Sequence, residues 1–383
     1  MSNDAASVTG GESETAERKL RFLTDPYLEW TRGEGIPTYE DFGIDILAVE
    51  TARWDRFDAR GAFIHAKGRG DFVATFVLDI PPGGRTAPQR QMFEEVVYVL
   101  EGHGSTSVEG PDGRKQTFEW GPRSLFALPL NARYRHFNGS GRERALLAST
   151  HDMPVVMNLF HNADFVFACD FPFPERLGAA GHFDGEGEFT AFKPGSHMWE
   201  TNFVPDLTRF ELKAWEGRGA GSSNIAFILA DGTMHAHMSG IPSARYKKGH
   251  RHGDGMHVFA VTGSGYSLFW YEGEQDFKHV PWRHGVMYAP PLLMFHQHFN
   301  TAPEPARYLA IGIGSRRYPF IAMRREAVEG AEMSTKDGGW QIEYADQDPR
   351  IHELWLKEIA AIGGVSDMGK FIDETAYKST TAK

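Results

Sequence analysis

Gly249-His250-Arg251-His252 and Pro291-Leu292-Leu293-Met294-Phe295-His296-Gln297-His298-Phe299-Asn300 are the two segments around which this chain is organised. Side chains alternate faces along a strand, so His250 and His252 share one face and Arg251 takes the other. His296, brought in from a later strand, adds a third imidazole and completes half of an octahedral metal site. Nine of the 17 histidines lie between His235 and His298, a crowding that ordinary core filling does not explain.

Outward from these segments the chain repeats itself. Trp54 recurs as Trp215, Gly102-His103-Gly104 as Gly263-Ser264-Gly265, and His136-Phe137-Asn138 as His298-Phe299-Asn300, at offsets of 161 or 162 residues. A single repeat of this length, rich in short strands, means two copies of one all-β domain. Laid on each other, the copies set His250 and His252 against Gln89 and Gln91, His296 against Tyr134, and Met256 against Glu95. An amide oxygen and a phenol replace imidazole poorly toward a transition metal, so one metal per chain is expected, in the second copy. The first copy, with Gln89, Gln91, Glu95 and Tyr134 as its degenerate site, serves as a packing partner or binds an organic ligand.

The two segments resemble the two signature motifs of the cupin family. The first motif is Gly, His-x-His, three residues, Glu, six residues, Gly; here Met256 falls in the Glu slot and Gly263 in the last Gly slot. Of the second motif, Gly285, Pro291, His296 and Asn300 match and Leu293 replaces the inner Gly. The whole resembles a bicupin over roughly Glu50 to Ser315, which implies an all-β fold of two tandem double-stranded β-helix (jelly-roll) barrels with short peripheral helices. The expected divisions are a tail and arm over 1–44, an N-terminal cupin over 45–160, a connection over 161–209, a C-terminal cupin over 210–318 and an extension with a helix over 319–383.

The resemblance makes His250, His252 and His296 the metal ligands. Three neutral imidazoles leave a divalent ion its full charge and about three open positions, which favours an anionic, bidentate oxygen ligand. A three-histidine site without the Glu is similar to the gentisate and salicylate ring-cleaving dioxygenases, whose metal, however, sits in the first copy. The expected function is a mononuclear non-haem Fe(II) dioxygenase for a small anionic, oxygen-rich compound such as a hydroxylated aromatic acid, with dioxygen as co-substrate. The alternatives are a redox-neutral isomerase, lyase or aminohydrolase using Mn(II), Ni(II) or Zn(II), and a metabolite-binding bicupin without turnover. Met256, Trp270, Tyr288 and Arg245 are candidate pocket residues, and His257 and His298 candidate ligands or polar contacts. His298 has a counterpart, His136, where no metal is expected, which points to a structural hydrogen bond; alternation turns His257 away from His252's face. His235 and His237 form another same-face pair, suited to burial with a hydrogen bond or to lining the barrel.

The remaining features bound the class. The 383 residues are 41% hydrophobic and 24% charged, enough for about two domains. A net charge of -11 and a pI near 5.9 argue against nucleic-acid or anionic-membrane partners. The single cysteine, Cys169, precludes an intrachain disulfide and suits a reducing, cytoplasmic setting. No apolar run approaches the roughly 18 residues a membrane helix needs. Residues 1–20 are small and polar and expected to be disordered, Leu23–Trp30 to form an arm or short helix, and Asp164–Arg209 an irregular connection. Ile351, Leu354, Trp355, Ile359 and Ile362 recur at helical spacing before Gly363-Gly364, which predicts an amphipathic helix. That aromatic-rich end supplies apolar surface for a homodimer or larger assembly.

Overall fold

A computed structural model of the chain describes residues 24–110, 113–193, 196–253, 255–320, 330 and 332–377. The polar segment 1–20 and the end of the tail lie outside the described residues. Two β units follow one another. The first contains β1 (Ala59–Ile64), β2 (Ala74–Ile80), β3 (Glu95–Glu101), β4 (Gly104–Glu109), β5 (Lys115–Trp120), β6 (Leu125–Leu128), β7 (Arg133–Asn138) and β8 (Ala145–His151). The second contains β9 (Ser223–Leu229), β10 (Met234–Ile241), β11 (Gly249–His250), β12 (His257–Thr262), β13 (Ser264–Trp270), β14 (Lys278–Arg283), β15 (Val286–Tyr288), β16 (Phe295–Asn300) and β17 (Ala306–Ile313).

The strand order repeats as the sequence does. One sheet runs β1-β2-β8-β3-β6 in the first unit and β9-β10-β17-β12-β15 in the second; the facing sheet runs β7-β4-β5 and β16-β13-β14, with β11 added beside β16. The architecture is all-β, two tandem units of repeated strand order with few short helices. Local chemistry repeats too. Gly102 (φ 82°) and Gly263 (φ 75°) take left-handed backbone at the same tight turn. Asn138 donates from Nδ2 to the carbonyls of Ile80, Pro81 and Glu143, and Asn300 does the same to Ile241, Pro242 and Glu304. Each asparagine ties three strand ends together.

Alternation along the large sheets decides what faces what. Phe227, Met238, Phe259 and Ile311 of the second unit pack with Val77, Tyr98 and Ala148 of the first in one shared apolar core. The opposite faces of β9, β10, β12 and β17 look into the second unit. The units also exchange edges. Gly43–Asp45, which precedes the first unit, pairs antiparallel with β15 of the second, and Phe203–Val204 pairs with β6 of the first.

The connection is more regular than its sequence suggests. After helix Met153–Phe160, it holds helix Ala163–Ala168 and a hairpin, Glu188–Lys193 with Ser196–Thr201, that extends the second unit's large sheet beside β9. Its alternation is masked in sequence by glycines and prolines on either side. Helices appear where predicted at both ends. Pro26–Gly33 is capped by Asp25, and Pro349–Ala361 by Asp348. Ile351, Trp355 and Ile359 of the latter pack on Tyr246, Tyr266 and Phe299, covering the outer face of the second unit's small sheet. No described helix is long and apolar enough to cross a membrane.

His257 follows the interface face of β12. It is fully buried, and its Nδ1 lies 2.7 Å from Thr75 Oγ1, itself 2.8 Å from Thr150 Oγ1, both in the first unit. Nearby, His65 Nε2 lies 2.9 Å from the Tyr27 hydroxyl. Burial lowers His257 to about 3 and His65 to about 4 from an ordinary 6.5, with Arg69 pushing the same way. Their folded-state values lie below the unfolded one, so the stability they contribute is whole above pH 6.5. It is lost progressively as pH falls below 6.5, and the loss is complete at about 4 for His65 and about 3 for His257. At pH 5 the loss is on the order of 2 kcal/mol for each. The denaturant midpoint is therefore expected to drop between pH 7.5 and 5, and His257→Asn to shrink that drop; equal pH slopes in the two proteins would count against the interface as its source.

Candidate metal centre

The second motif lies on β16 and the first on β11, and the two pair antiparallel with His250 directly opposite His296. The first unit shows the same bridge between Gln89 and Tyr134, so the alignment of the two copies is also their structural register. Four imidazoles gather inside the second unit. Ring centroids are 4.2 Å apart for His250 and His296, 4.6 Å for His252 and His296, and 5.4 Å for His296 and His298. One nitrogen each of His250, His296 and His298 lies within 4.8 Å of the others. The sequence-derived set of His250, His252 and His296 is thus brought together by ring position, while by nitrogen position His298 completes the group with His250 and His296.

Hydrogen bonds orient these rings. His250 Nδ1 lies 3.4 Å from Lys248 O and His296 Nδ1 3.1 Å from Met294 O. A carbonyl only accepts, so each Nδ1 carries the hydrogen and each Nε2 the lone pair. His298 Nδ1 is 2.8 Å from Ser267 Oγ, which also accepts from Trp282 Nε1. His136, Thr106 and Trp120 repeat that arrangement in the first unit, where the histidine has only this structural part to play. Burial, with Arg218 next or among the further causes, holds His250, His296 and His298 well below the ordinary histidine value. Neutral imidazoles with oriented lone pairs are what a divalent ion requires of its ligands. The donor set therefore fits a metal.

The four rings line a narrow cavity of about 70 Å³ between the two sheets. The large sheet contributes Asn224, Ala226, His235, His237, Val258 and Tyr308, all from its inward face. Met256 lines the cavity as expected from the Glu slot, with Gly312 beneath it so close that a Cβ there would meet Met256 Sδ at 2.3 Å. Arg218, 6% exposed, stacks on Trp215 with 4.9 Å to the ring centroid and donates to Gln341 Oε1 at 3.1 Å. Burial lowers its guanidinium to about 10. Lys247, also buried, donates to the Tyr308 hydroxyl at 3.1 Å, and burial holds it well below the ordinary lysine value. Leu293, in the slot of the motif's inner Gly, takes left-handed backbone at φ 60°, and its N–H donates to His252 O at 2.9 Å.

Several candidates face elsewhere. Arg245 turns outward to Asp367 at 2.6 Å, and Trp270 packs outside the sheet against Phe277 and Phe295; both follow the small sheet's outer face. Tyr288 is buried behind the site, with its hydroxyl 3.3 Å from His298 Nδ1, and His257 faces the first unit. Of the basic run, Lys248 and Arg251 pair outward with Glu343 and Glu272, and only Lys247 turns in. Arg218 carried no sequence signal, because its partners come from distant strands.

In the first unit the matching positions close on themselves. Glu95 accepts from Gln91 Nε2 at 2.6 Å, from the Tyr134 hydroxyl at 2.8 Å and from Ser149 Oγ. Burial pushes its carboxyl up to about 7 despite these donors. Gln89 turns away to the carbonyls of Arg56 and Ala87. A larger groove of about 800 Å³ opens outside this unit between Arg53, Arg56, Arg90 and Arg133, but it is shallow and holds none of the convergent donors.

No family model matches the chain, and no curated protein does. Among solved structures it is similar to oxalate decarboxylase from Bacillus subtilis at pH 4.6, with 12% identity, 72% of this chain and 76% of that chain covered, and a TM-score of 0.45. It is likewise similar to the same enzyme in a study of its Mn(II) centres, with 13% identity, 72% and 78% coverage and a TM-score of 0.46. A likeness of this extent assigns neither substrate nor activity. The likeness to gentisate- and salicylate-cleaving enzymes rests on the sequence motif alone.

Metal titration of single variants tests the ligand geometry. His250→Ala and His296→Ala are expected to abolish tight binding, while His257→Ala keeps the wild-type stoichiometry. His298→Ala is expected to weaken binding more than His252→Ala does. Metal lost on His257→Ala would contradict the position of that ring.

Proposed function

We propose that the second unit is a mononuclear metal enzyme for a small carboxylate. The convergence of the His250 and His296 lone pairs with the buried Arg218 guanidinium in one narrow cavity carries this reading. His250, His296 and His298, with His252 beside them, would hold a divalent ion, Fe(II) foremost. When bound, the ion supplies Lewis acidity and, as Fe(II), a route for electrons between substrate and dioxygen. Arg218 orients a carboxylate by charge-assisted hydrogen bonds, and the small sheet and Trp215 exclude bulk water. The cavity has room for about five water-sized groups, which favours a substrate of a few heavy atoms over an aromatic acid.

Two chemistries share this site. Oxygenation at Fe(II) matches the all-imidazole donor set, which leaves the ion its full charge. A redox-neutral lyase or isomerase reaction with Mn(II), Ni(II) or Zn(II) is favoured by the cavity's small volume. Measuring oxygen uptake and product with 2-hydroxy acids, 2-oxo acids, diketones and dihydroxybenzoates separates them. Substrate-dependent oxygen uptake by the Fe(II)-loaded protein is the expected result, and turnover undiminished without oxygen would instead establish the redox-neutral reaction. In either case Arg218→Gln is expected to raise the Kd for the carboxylate by about 10- to 100-fold while metal content holds. An unchanged Kd would remove Arg218 from the binding site.

A further inference from the structure

The arginine groove outside the first unit lacks the imidazoles of the metal centre and carries a different chemistry. Gln89 and Tyr134 exchange backbone hydrogen bonds of 2.9 and 3.0 Å across an antiparallel bridge. Their neighbours Arg90 and Arg133 therefore stand opposite each other, at the kind of antiparallel position where side chains come closest. Gln89 and Tyr134 are buried, so alternation turns both arginines outward, with Arg90 half-buried and Arg133 exposed. The row continues across the sheet. Arg133 of β7 is in register with Glu109 of β4, and Glu109 with Lys115 of β5, whose ammonium lies 3.6 Å from its carboxylate. Three cations thus share one carboxylate in a chain of net charge -11. Farther along the groove, Arg53 and Arg56 have carboxylates of their own in Asp55, Asp58 and Glu34, each within 3.0 Å. Arg90 reaches only carbonyls, donating from Nε to Asn131 O at 3.2 Å and from Nη2 to Asp170 O at 3.5 Å. The Arg133 side chain makes no hydrogen bond or ion pair among the described residues. Like charges directly opposite on a sheet are destabilising, and the fold leaves this pair uncompensated.

We propose that Arg90 and Arg133 bind the phosphate of a small organic phosphate monoester whose organic part lies in the adjoining cavity against Phe173. Both arginines line the groove and also a neighbouring cavity of about 310 Å³, so they form the ridge between the two. Beyond the ridge, Leu130, Ala132, Pro172, Phe173 and Leu177 give the smaller cavity its apolar wall. Asn131 ties wall and ridge together. Its carbonyl accepts from Arg90, and its Nδ2 donates to Cys169 O at 3.1 Å and Phe171 O at 2.8 Å, which fixes the segment leading into Phe173. A phosphate monoester carries close to two negative charges at neutral pH, and its terminal oxygens accept from two guanidinium forks at once. It thereby matches both the charge and the donors of the pair, which a single carboxylate does not. The site is a binding site on the outer face of the first unit, separate from the metal centre.

Calorimetry on the full chain with phenyl phosphate, inorganic phosphate and phenol tests this; phenyl phosphate is too large for the metal cavity of about 70 Å³. Wild type is expected to bind phenyl phosphate more tightly than inorganic phosphate, and phenol not measurably. Arg133→Gln should raise the Kd for phenyl phosphate at least about tenfold, with metal content unchanged. Phe173→Ala should bring phenyl phosphate and inorganic phosphate to similar Kd values. Without ligand, the Tm of Arg133→Gln should equal or exceed that of wild type, because the opposed charge is gone, and phenyl phosphate should raise the Tm of wild type alone. Arg90→Gln serves in place of Arg133→Gln if that variant does not fold. An unchanged Kd in Arg133→Gln would overturn the inference, as would inorganic phosphate binding as tightly as phenyl phosphate to wild type. A clear fall in the unliganded Tm of Arg133→Gln would do so too, since a structural part for Arg133 predicts it. Light scattering in which Arg133→Gln breaks up an assembly that phenyl phosphate leaves intact would also overturn it, by giving the groove to a second copy of the chain. None of these outcomes touches the metal-enzyme reading.

Discussion

The two-residue period of the second unit's large sheet is the constraint on which the rest depends. One face of β9, β10, β12 and β17 supplies Phe227, Met238, Phe259 and Ile311 to the core shared with the first unit, and the other supplies the wall of the histidine cavity. A slip of one residue would drive His235 and His237 into the shared core and open Ala236 and Met238 to the cavity. The shared core therefore fixes the register of the site. Burial of an apolar face and presentation of a polar one are the same event, and the reciprocal edge strands Gly43–Asp45 and Phe203–Val204 hold the two units in the arrangement that enforces it.

The first unit shows what the same topology does without imidazoles. Its interior is filled by Phe76, Val97, Phe126, Leu147 and other apolar side chains, with a polar knot at Glu95, Gln91, Tyr134 and Ser149. A buried carboxylate with three donors is satisfied internally and has little lone-pair capacity to offer an ion. In the second unit Met256 stands in place of Glu95, and the oriented lone pairs of His250 and His296 take over as the polar feature of the interior. The shared Trp–Ser/Thr–His arrangement, present in both units, explains why His298 and His136 both recur although only one stands in a histidine cluster.

Much of this was legible in the sequence because it is local. The spacing of His250, His252 and His296, the offset of the repeat and the helical stripe from Ile351 to Ile359 each follow from chain geometry within one or two elements. Alternation alone also turned His257 from the site. What alternation cannot tell is which face of a given strand is inside. Arg245 and Trp270 were placed at the pocket because they neighbour the motif, yet both lie on the outer face that the C-terminal helix and Asp367 cover. Arg218 and Trp215 reach the cavity from a turn that precedes β9, through contacts with Gln341 and Lys247 across the fold. No short-range pattern marks such a contact.

Electrostatics then limits what the cavity can accommodate. In the proposed metal enzyme, a dication held by neutral ligands would stand beside the buried Arg218 and Lys247 in a region of low dielectric. Burial, with Arg218 adding to it, depresses the basicity of His250, His296 and His298, so the imidazoles stay neutral. Lys247 is pushed in the same direction and rests on the Tyr308 and Trp215 rings, whose faces tolerate positive charge. A small oxyanion is the ligand that the proposed site would favour, since it would meet the ion and the guanidinium at once. The cavity's size is set by the sheet spacing and its polarity by the side chains that alternation leaves on the inner faces, so the shape of the site is a consequence of the same register that builds the core.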